Sequence, residues 1–180
     1  DQLPGQVFAL DGLLRHAPVA LAATALNAAL ETSGLTFLPM YAMKLGWGEQ
    51  GATALVATLL VGAIVLQLPI GWLGDRVVRR RLVLWLSALS ALGALAWPFA
   101  IGVPWLGHAL LFAWGGVFVG IYTLVVTIVG SRYSEGQLVQ VYAGMSVAFG
   151  VGALLGPLLA GAAMSALRDG LPLFAALACA

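Results

Sequence analysis

The chain has 180 residues, of which 62% are hydrophobic and only 8% are charged, with a formal net charge of +1. A soluble domain carries about 25% charged residues, so this composition excludes an ordinary water-exposed surface. The near-neutral charge gives no electrostatic reason to expect a nucleic-acid partner. A single cysteine, Cys179, excludes an internal disulfide and a cysteine cluster for zinc. We expect no metal site and no cofactor.

The order of the apolar segments predicts an all-α membrane protein. Residues 1–16 lack the basic start and apolar core of a signal peptide and are interpreted as a linker. Because the chain starts at Asp1 and not at Met, we expect it to be a piece of a longer protein. Each later segment is near or above the ~20 residues that cross a bilayer as a helix. These segments are residues 18–41, 52–73, 82–99, 105–129 and 138–167.

A sixth apolar segment starts near Leu171 and stops at Ala180. As a helix it would rise only ~15 Å, about half of the ~30 Å hydrocarbon core, so we expect it to be truncated. An open sheet cannot span lipid, and the segments lack the alternation of a β-barrel. The predicted fold is a polytopic helix bundle over residues 17–180 with about six transmembrane helices.

Glu31 lies in the middle of the first apolar segment. A carboxyl group at membrane depth costs roughly 2.5–3.5 kcal/mol on insertion scales, and such groups usually face a protein interior or a water-filled path. Asn27 and Thr24 precede it by four and seven residues, so the three share one helix face. Burial there favours the neutral acid. We expect a substrate or proton pathway along this face, although a structural carboxyl hydrogen-bonded within the bundle is the alternative.

Other polar residues at membrane depth are candidates for the same pathway. They are Gln67, Tyr122 and Tyr142. For the two tyrosines, a place on the cavity wall and a hydrogen bond to a neighbouring helix are equally good interpretations.

Basic residues predict the orientation of the bundle. Cytoplasmic loops of membrane proteins are enriched in lysine and arginine. Lys44 and Arg168 fall on one side of the predicted membrane, and the other basic residues fall on the opposite side. We therefore expect the linker and the loops at residues 74–81 and 130–137 to be cytoplasmic.

The loop between the second and third segments carries a sequence signature. The string runs GWLGDRVVRRRL from Gly71 to Leu82. It resembles the G-x-L-A-D-R-x-G-R-R-x-L loop signature of the major facilitator superfamily. Two positions depart from that pattern, because Gly74 replaces an alanine and Val78 replaces a glycine. Valine avoids positive φ, so we expect a different backbone turn at Val78.

The resemblance implies that this loop gates a conformational change. Matching positions would lock the cytoplasmic helix ends together in one state of the transporter. The residues concerned are Gly71, Asp75, Arg76, Arg79 and Arg80. Simple obedience to the positive-inside rule is the competing explanation for the arginines.

Small residues at four-residue spacing predict close helix packing. Gly152 and Gly156 form such a pair, and Gly116 and Gly120 form another. Pro157 follows Gly156 and can bend its helix. The string around it resembles the antiporter signature G-x-x-x-G-P-x-x-G-G of the same superfamily, which belongs to the first half of those proteins. Close packing with a pliable bend is the simpler interpretation.

Taken with the strings GLTFLPMY at residues 34–41 and GIYTL at residues 120–124, the chain resembles bacterial permeases near the drug-exporter branch of the superfamily. The resemblance implies the second six-helix half of a twelve-helix permease in a bacterial inner membrane. Its partners would be the first six-helix half, membrane lipid, a small-molecule substrate and protons. The implied function is proton-coupled secondary transport, and not catalysis. A channel or a non-transporting membrane scaffold is the alternative.

Overall fold

The computed structural model describes residues 17–179, which form helices joined by short connections, with no strand in that part of the chain. The predicted linker, including Arg15, lies outside the described residues. The helices are α1 (Pro18–Lys44), α2 (Glu49–Val65), α3 (Gln67–Arg76), α4 (Arg79–Leu95), α5 (Trp97–Ala100), α6 (Pro104–Arg132), α7 (Glu135–Ala166) and α8 (Gly170–Cys179). The predicted all-helical bundle is confirmed.

Two predicted segments are each divided by a proline. Pro69 has no N–H to donate to Val65, and its ring crowds that carbonyl, so the helix breaks at Leu66 between α2 and α3. Pro98 breaks the next segment at Ala96 in the same way, between α4 and α5. The first of these breaks has a consequence for the site, because it falls beside Gln67.

Three segments of the described chain are long and apolar enough to cross a membrane by length and composition: Glu49–Arg76, Pro104–Arg132 and Gly136–Ala166. The sequence predicted about six crossings. Helix α1 has 27 residues, but Asn27 and Glu31 lower its mean hydropathy. The break at Ala96 leaves α4 with 17 residues, and α8 has 10.

Glycines bring α7 into backbone contact with α1. A Cβ added to Gly152 would overlap the carbonyl of Ala25, and one added to Gly156 would overlap the backbone of Ala29. Pro157 lies inside α7, one residue beyond the second contact. Since lipid supplies no hydrophobic drive between helices, such close contacts are a main source of association.

A second glycine interface joins α2 and α3 to α6. A Cβ at Gly62 would overlap the carbonyl of Phe112, and a Cβ at Gly115 would overlap the carbonyl of Leu59. Gly116 lies against Leu66 at the break between α2 and α3, and Gly120 lies against Ile70. The break is therefore held against α6 on both of its sides.

Aromatic rings fill the core between these interfaces. Trp97 and Trp114 meet edge to face with ring centroids 4.8 Å apart, and Trp114 stacks on Phe118 at 5.0 Å. Trp114 Nε1 donates to the carbonyl oxygen of Ser90 at 2.8 Å. These contacts tie α6 to α4 and α5 and fix the ring that faces the candidate site.

The contact at Gly152 can be tested against a neighbouring glycine. Gly152→Ala adds a methyl group into the Ala25 backbone, whereas Gly150 on the same helix has no atom within 4 Å of its added Cβ. We expect Gly152→Ala to destabilise the bundle by roughly 1–3 kcal/mol, as overpacking does. Gly150→Ala should be neutral or stabilising by up to about 1 kcal/mol, because alanine favours helix.

The measurement is thermal unfolding of the two variants, made in the full-length protein in detergent. Equal melting temperatures for Gly152→Ala and Gly150→Ala would contradict the close contact between α7 and α1.

Candidate functional site

A cavity of about 800 Å³ opens between α1, α2, α3 and α6, and α7 contributes Phe149 to its wall. Its wall is mostly apolar, and Trp114, Phe118 and Phe149 supply aromatic surface. Its polar lining residues are Asn27, Glu31, Gln67 and Tyr122. The structure thus brings together four of the six residues that the sequence suggested for a substrate or proton pathway.

Glu31 lines this cavity and is exposed on the described helices. The burial expected from the sequence is therefore not found, because the side chain faces the open cavity and not the packed interior. Among the side chains that the structure describes, Glu31 forms no ion pair. Arg79 and Asp75 do form one. The structural alternative, a carboxyl hydrogen-bonded within the bundle, has no such bond in the described part of the chain.

Asn27 and Thr24, predicted to share the face of Glu31, differ in their surroundings. Asn27 lines the cavity, is only 7% exposed, and has no hydrogen-bond partner for Oδ1 among the described residues. Thr24 is buried away from the cavity, and its Oγ1 donates to the carbonyl oxygen of Ala20 at 2.7 Å. The polar stripe therefore reaches the cavity at two positions and not at three.

Gln67 is the first residue of α3, directly after the break at Leu66. Thr123 Oγ1 on α6 donates to Gln67 Oε1 at 2.5 Å. This bond fixes the plane of the amide, and Nε2 is left enclosed without a partner among the described residues. The helix break and the bond across helices together hold a polar amide on the cavity wall.

The structure distinguishes between the two tyrosines, for each of which the sequence left two interpretations. Tyr122 lines the cavity. Tyr142 does not line it, and lies on α7 with its hydroxyl close to Gly130 on α6. The aromatic wall formed by Trp114, Phe118 and Phe149 was not among the predicted site residues, although the four-residue spacing of Trp114 and Phe118 would have placed them on one helix face.

The signature loop joins the end of α3 to the start of α4. Arg79 donates from Nη2 to Asp75 Oδ1 at 3.3 Å and from Nε to the carbonyl oxygen of Gly74 at 3.4 Å. Asp75 partly neutralises a basic residue at a helix N-terminus, where positive charge is unfavourable. Its side chain is 76% exposed, so the pair adds at most about 1 kcal/mol to stability.

The other matched positions of the loop surround this pair. The guanidinium of Arg76 lies 3.9 Å from the ring centroid of Trp72, and Arg80 is exposed. Gly71 has no atom within 4 Å of an added Cβ. Val78 has φ −57°, outside the positive-φ region that valine avoids, and the different backbone turn expected there stays a prediction. The gating role of the loop stays a prediction.

Polar contacts at the opposite end of the bundle were not predicted. Tyr41 donates to Asp169 Oδ1 at 2.9 Å, which ties α1 to the connection before α8. His108 Nδ1 lies 2.7 Å from Thr58 Oγ1, and Trp47 meets the imidazole ring edge to face at 5.7 Å. These contacts join helices within the bundle and lie outside the cavity lining.

The fold and the cavity define a helical membrane protein with a mostly apolar cavity between its helices, in which a few polar side chains are placed. The family model described as Major Facilitator Superfamily matches residues 20–179. The chain belongs to this superfamily and is therefore a transporter of the major facilitator type. A comparison with curated proteins and with solved structures finds no match.

The signature loop yields a functional prediction. Asp75 contributes little to stability, so Asp75→Asn should leave abundance close to wild type. If the pair with Arg79 holds the loop in one conformational state, the same variant should lower transport per molecule several-fold. Glu49→Gln is the matched control, because Glu49 is a carboxylate in the first turn of α2, outside both the loop and the cavity. Flux in proteoliposomes, normalised to protein content, measures both variants. Wild-type flux in Asp75→Asn would exclude the gating role.

Proposed function

We propose that this chain forms half of a secondary active transporter that moves a small solute by alternating access, coupled to protons. One observation carries the proposal: Glu31 is a carboxyl group without an ion-pair partner among the described residues, on the wall of a cavity that is otherwise mostly apolar. Membership of the superfamily supports transport as the activity.

Glu31 is the residue proposed to carry the proton. A carboxyl group that lines a cavity can exchange a proton with whichever side the cavity opens to. Such a group takes up a proton on one side and releases it on the other when access alternates. Asn27 and Gln67 lie on the same cavity wall and are proposed to bind the solute.

The proposed partner of this chain is a second six-helix half of the same permease, N-terminal to it. That half would complete the path. Halves of such transporters rock against each other around a site near the membrane midplane. The cavity is open beside Glu31, and this supports the proposal that the other half supplies a second wall there. The remaining proposed partners are membrane lipid, the solute and the proton.

The proposed location is the bacterial inner membrane, with the N-terminal end of this segment on the cytoplasmic side. The distribution of the basic residues supports that orientation. After Cys179 is replaced, a cysteine introduced at Arg80 should resist an impermeant thiol reagent in sealed right-side-out vesicles. Rapid labelling there would reverse the orientation.

Glu31→Gln tests the proposed coupling. Glutamine keeps the shape of the protonated acid but cannot release a proton. We expect the variant to fold and still to exchange solute across the membrane, although a cationic solute that pairs with the carboxylate should bind more weakly. Proton movement with solute should be abolished, and so should accumulation driven by a pH gradient. Glu49→Gln is the matched control and should keep both activities.

The measurement combines solute flux with a pH-sensitive dye in proteoliposomes of the full-length protein. If Glu31→Gln still moves protons with solute at the wild-type ratio, Glu31 is not the coupling residue. A wild-type protein that gives ohmic current without saturation would instead support the channel alternative. Wild-type protein without any flux would support a scaffold.

A further inference from the structure

Among the described residues, the cavity wall carries a negative group and no positive one. Glu31 is the charged residue of that lining, since no described lysine, arginine or histidine contributes to the wall. The Glu31 side chain is exposed to the cavity, and a carboxylate there is a strong acceptor for a charged donor. The solute that satisfies this wall is therefore a cation with N–H groups.

Asn27 Oδ1 is a second acceptor that requires a hydrogen-bond donor. Its Oδ1 is enclosed without a hydrogen-bond partner in the described part of the chain, and an unsatisfied buried acceptor is costly. Asn27 precedes Glu31 by one helical turn, so the two side chains lie on the same face of α1 and both line the cavity. The last torsion of an asparagine is soft, so the amide can turn its Oδ1 toward the cavity.

The rest of the wall fits an apolar body. Trp114 and Phe118 present a stacked pair of rings, and Tyr122 and Phe149 extend the aromatic surface. Aromatic faces take up apolar rings and attract cations. A volume of about 800 Å³ is within the range of pockets that enclose drug-sized molecules.

We propose that the cavity binds amphipathic amines whose protonated nitrogen keeps at least two N–H bonds, and that Asn27 makes it prefer them to quaternary ammonium ions of the same shape. Glu31 accepts one N–H and Asn27 Oδ1 accepts the other. A quaternary nitrogen pairs with the charge of Glu31 but donates no hydrogen bond to Glu31 or to Asn27. This inference names the solute class of the transport site and rests on the proposed function.

The experiment uses the full-length permease in lipid nanodiscs at pH 7 with three probes of one shape. These are 4-phenylbutylamine, its N,N,N-trimethyl ammonium analogue and the neutral 4-phenylbutanol. Titration calorimetry gives the dissociation constants. We expect the amine to bind about 10- to 100-fold more tightly than either analogue. It alone combines a positive charge with N–H donors for Glu31 and Asn27.

Two variants assign this preference to Asn27. In Asn27→Leu the preference for the amine over the quaternary ion should fall several-fold, and what remains comes from the N–H bond to Glu31. Ser33→Ala is the matched control, because Ser33 is another buried residue of α1 with an unpartnered hydroxyl, yet it does not line the cavity. It should keep the wild-type preference. Should Asn27→Leu fail to fold, the comparison of the three probes on the wild-type protein still decides the solute class.

Each outcome bears on the inference separately from transport. Equal binding of the amine and the quaternary ion by wild type would overturn it, and so would equal binding of the alcohol. A permease that transports another solute but binds no amine would overturn it and leave the proposed function standing. Amine binding with the expected preference but no flux would keep the site and remove the proposed function.

Discussion

Backbone contact at glycines is the constraint on which this bundle depends. In lipid, apolar side chains gain nothing by leaving the solvent, so helices associate through close packing and polar contacts. Gly152 and Gly156 bring α7 onto α1, and Gly62 and Gly115 bring α2 onto α6. These two pairs of helices set the spacing of the walls, and the cavity is the space that they leave between α1 and α6.

The polar groups of the cavity follow from that packing. The interface between α3 and α6 places Thr123 within 2.5 Å of Gln67 and so orients the amide at the helix break. The interface between α1 and α7 buries one side of α1 and leaves Glu31 on the open side. The resulting wall has polar atoms without partners in the described part of the chain, which is an arrangement suited to a solute and not to a packed core.

The fold could be predicted from the sequence much further than the site. Segments of about 20 apolar residues admit only a helical bundle in lipid, so the helices followed from length and composition. The spacing of Gly152 and Gly156 indicated a small-residue face, but not that its partner is α1. Hydropathy also missed the breaks at Leu66 and Ala96, which come from single prolines three and two residues farther along.

Residues of the site could be suggested only where polarity made them unusual. Glu31, Asn27, Gln67 and Tyr122 stood out against an apolar background. Thr24 stood out equally, but its hydroxyl bonds its own helix at Ala20, as threonine often does. The aromatic wall did not stand out, because Trp114 and Phe118 are ordinary residues in an apolar helix. Which of them face a cavity depends on contacts between helices distant in sequence.

Alternating access requires that the cavity open to both sides of the membrane, and a single cysteine in the cavity can report this. Leu35 lines the cavity and is exposed on α1, so Leu35→Cys, made after Cys179→Ala, reports access to the site. Leu154→Cys, on an exposed part of α7 outside the cavity, is the control. The rate of alkylation by an impermeant reagent is measured from each side of oriented proteoliposomes of the full-length protein. If access alternates, Leu35→Cys should be labelled from either side, the ratio of the two rates should shift with a pH gradient, and Leu154→Cys should show no such shift. Labelling from one side alone under every gradient would contradict alternating access.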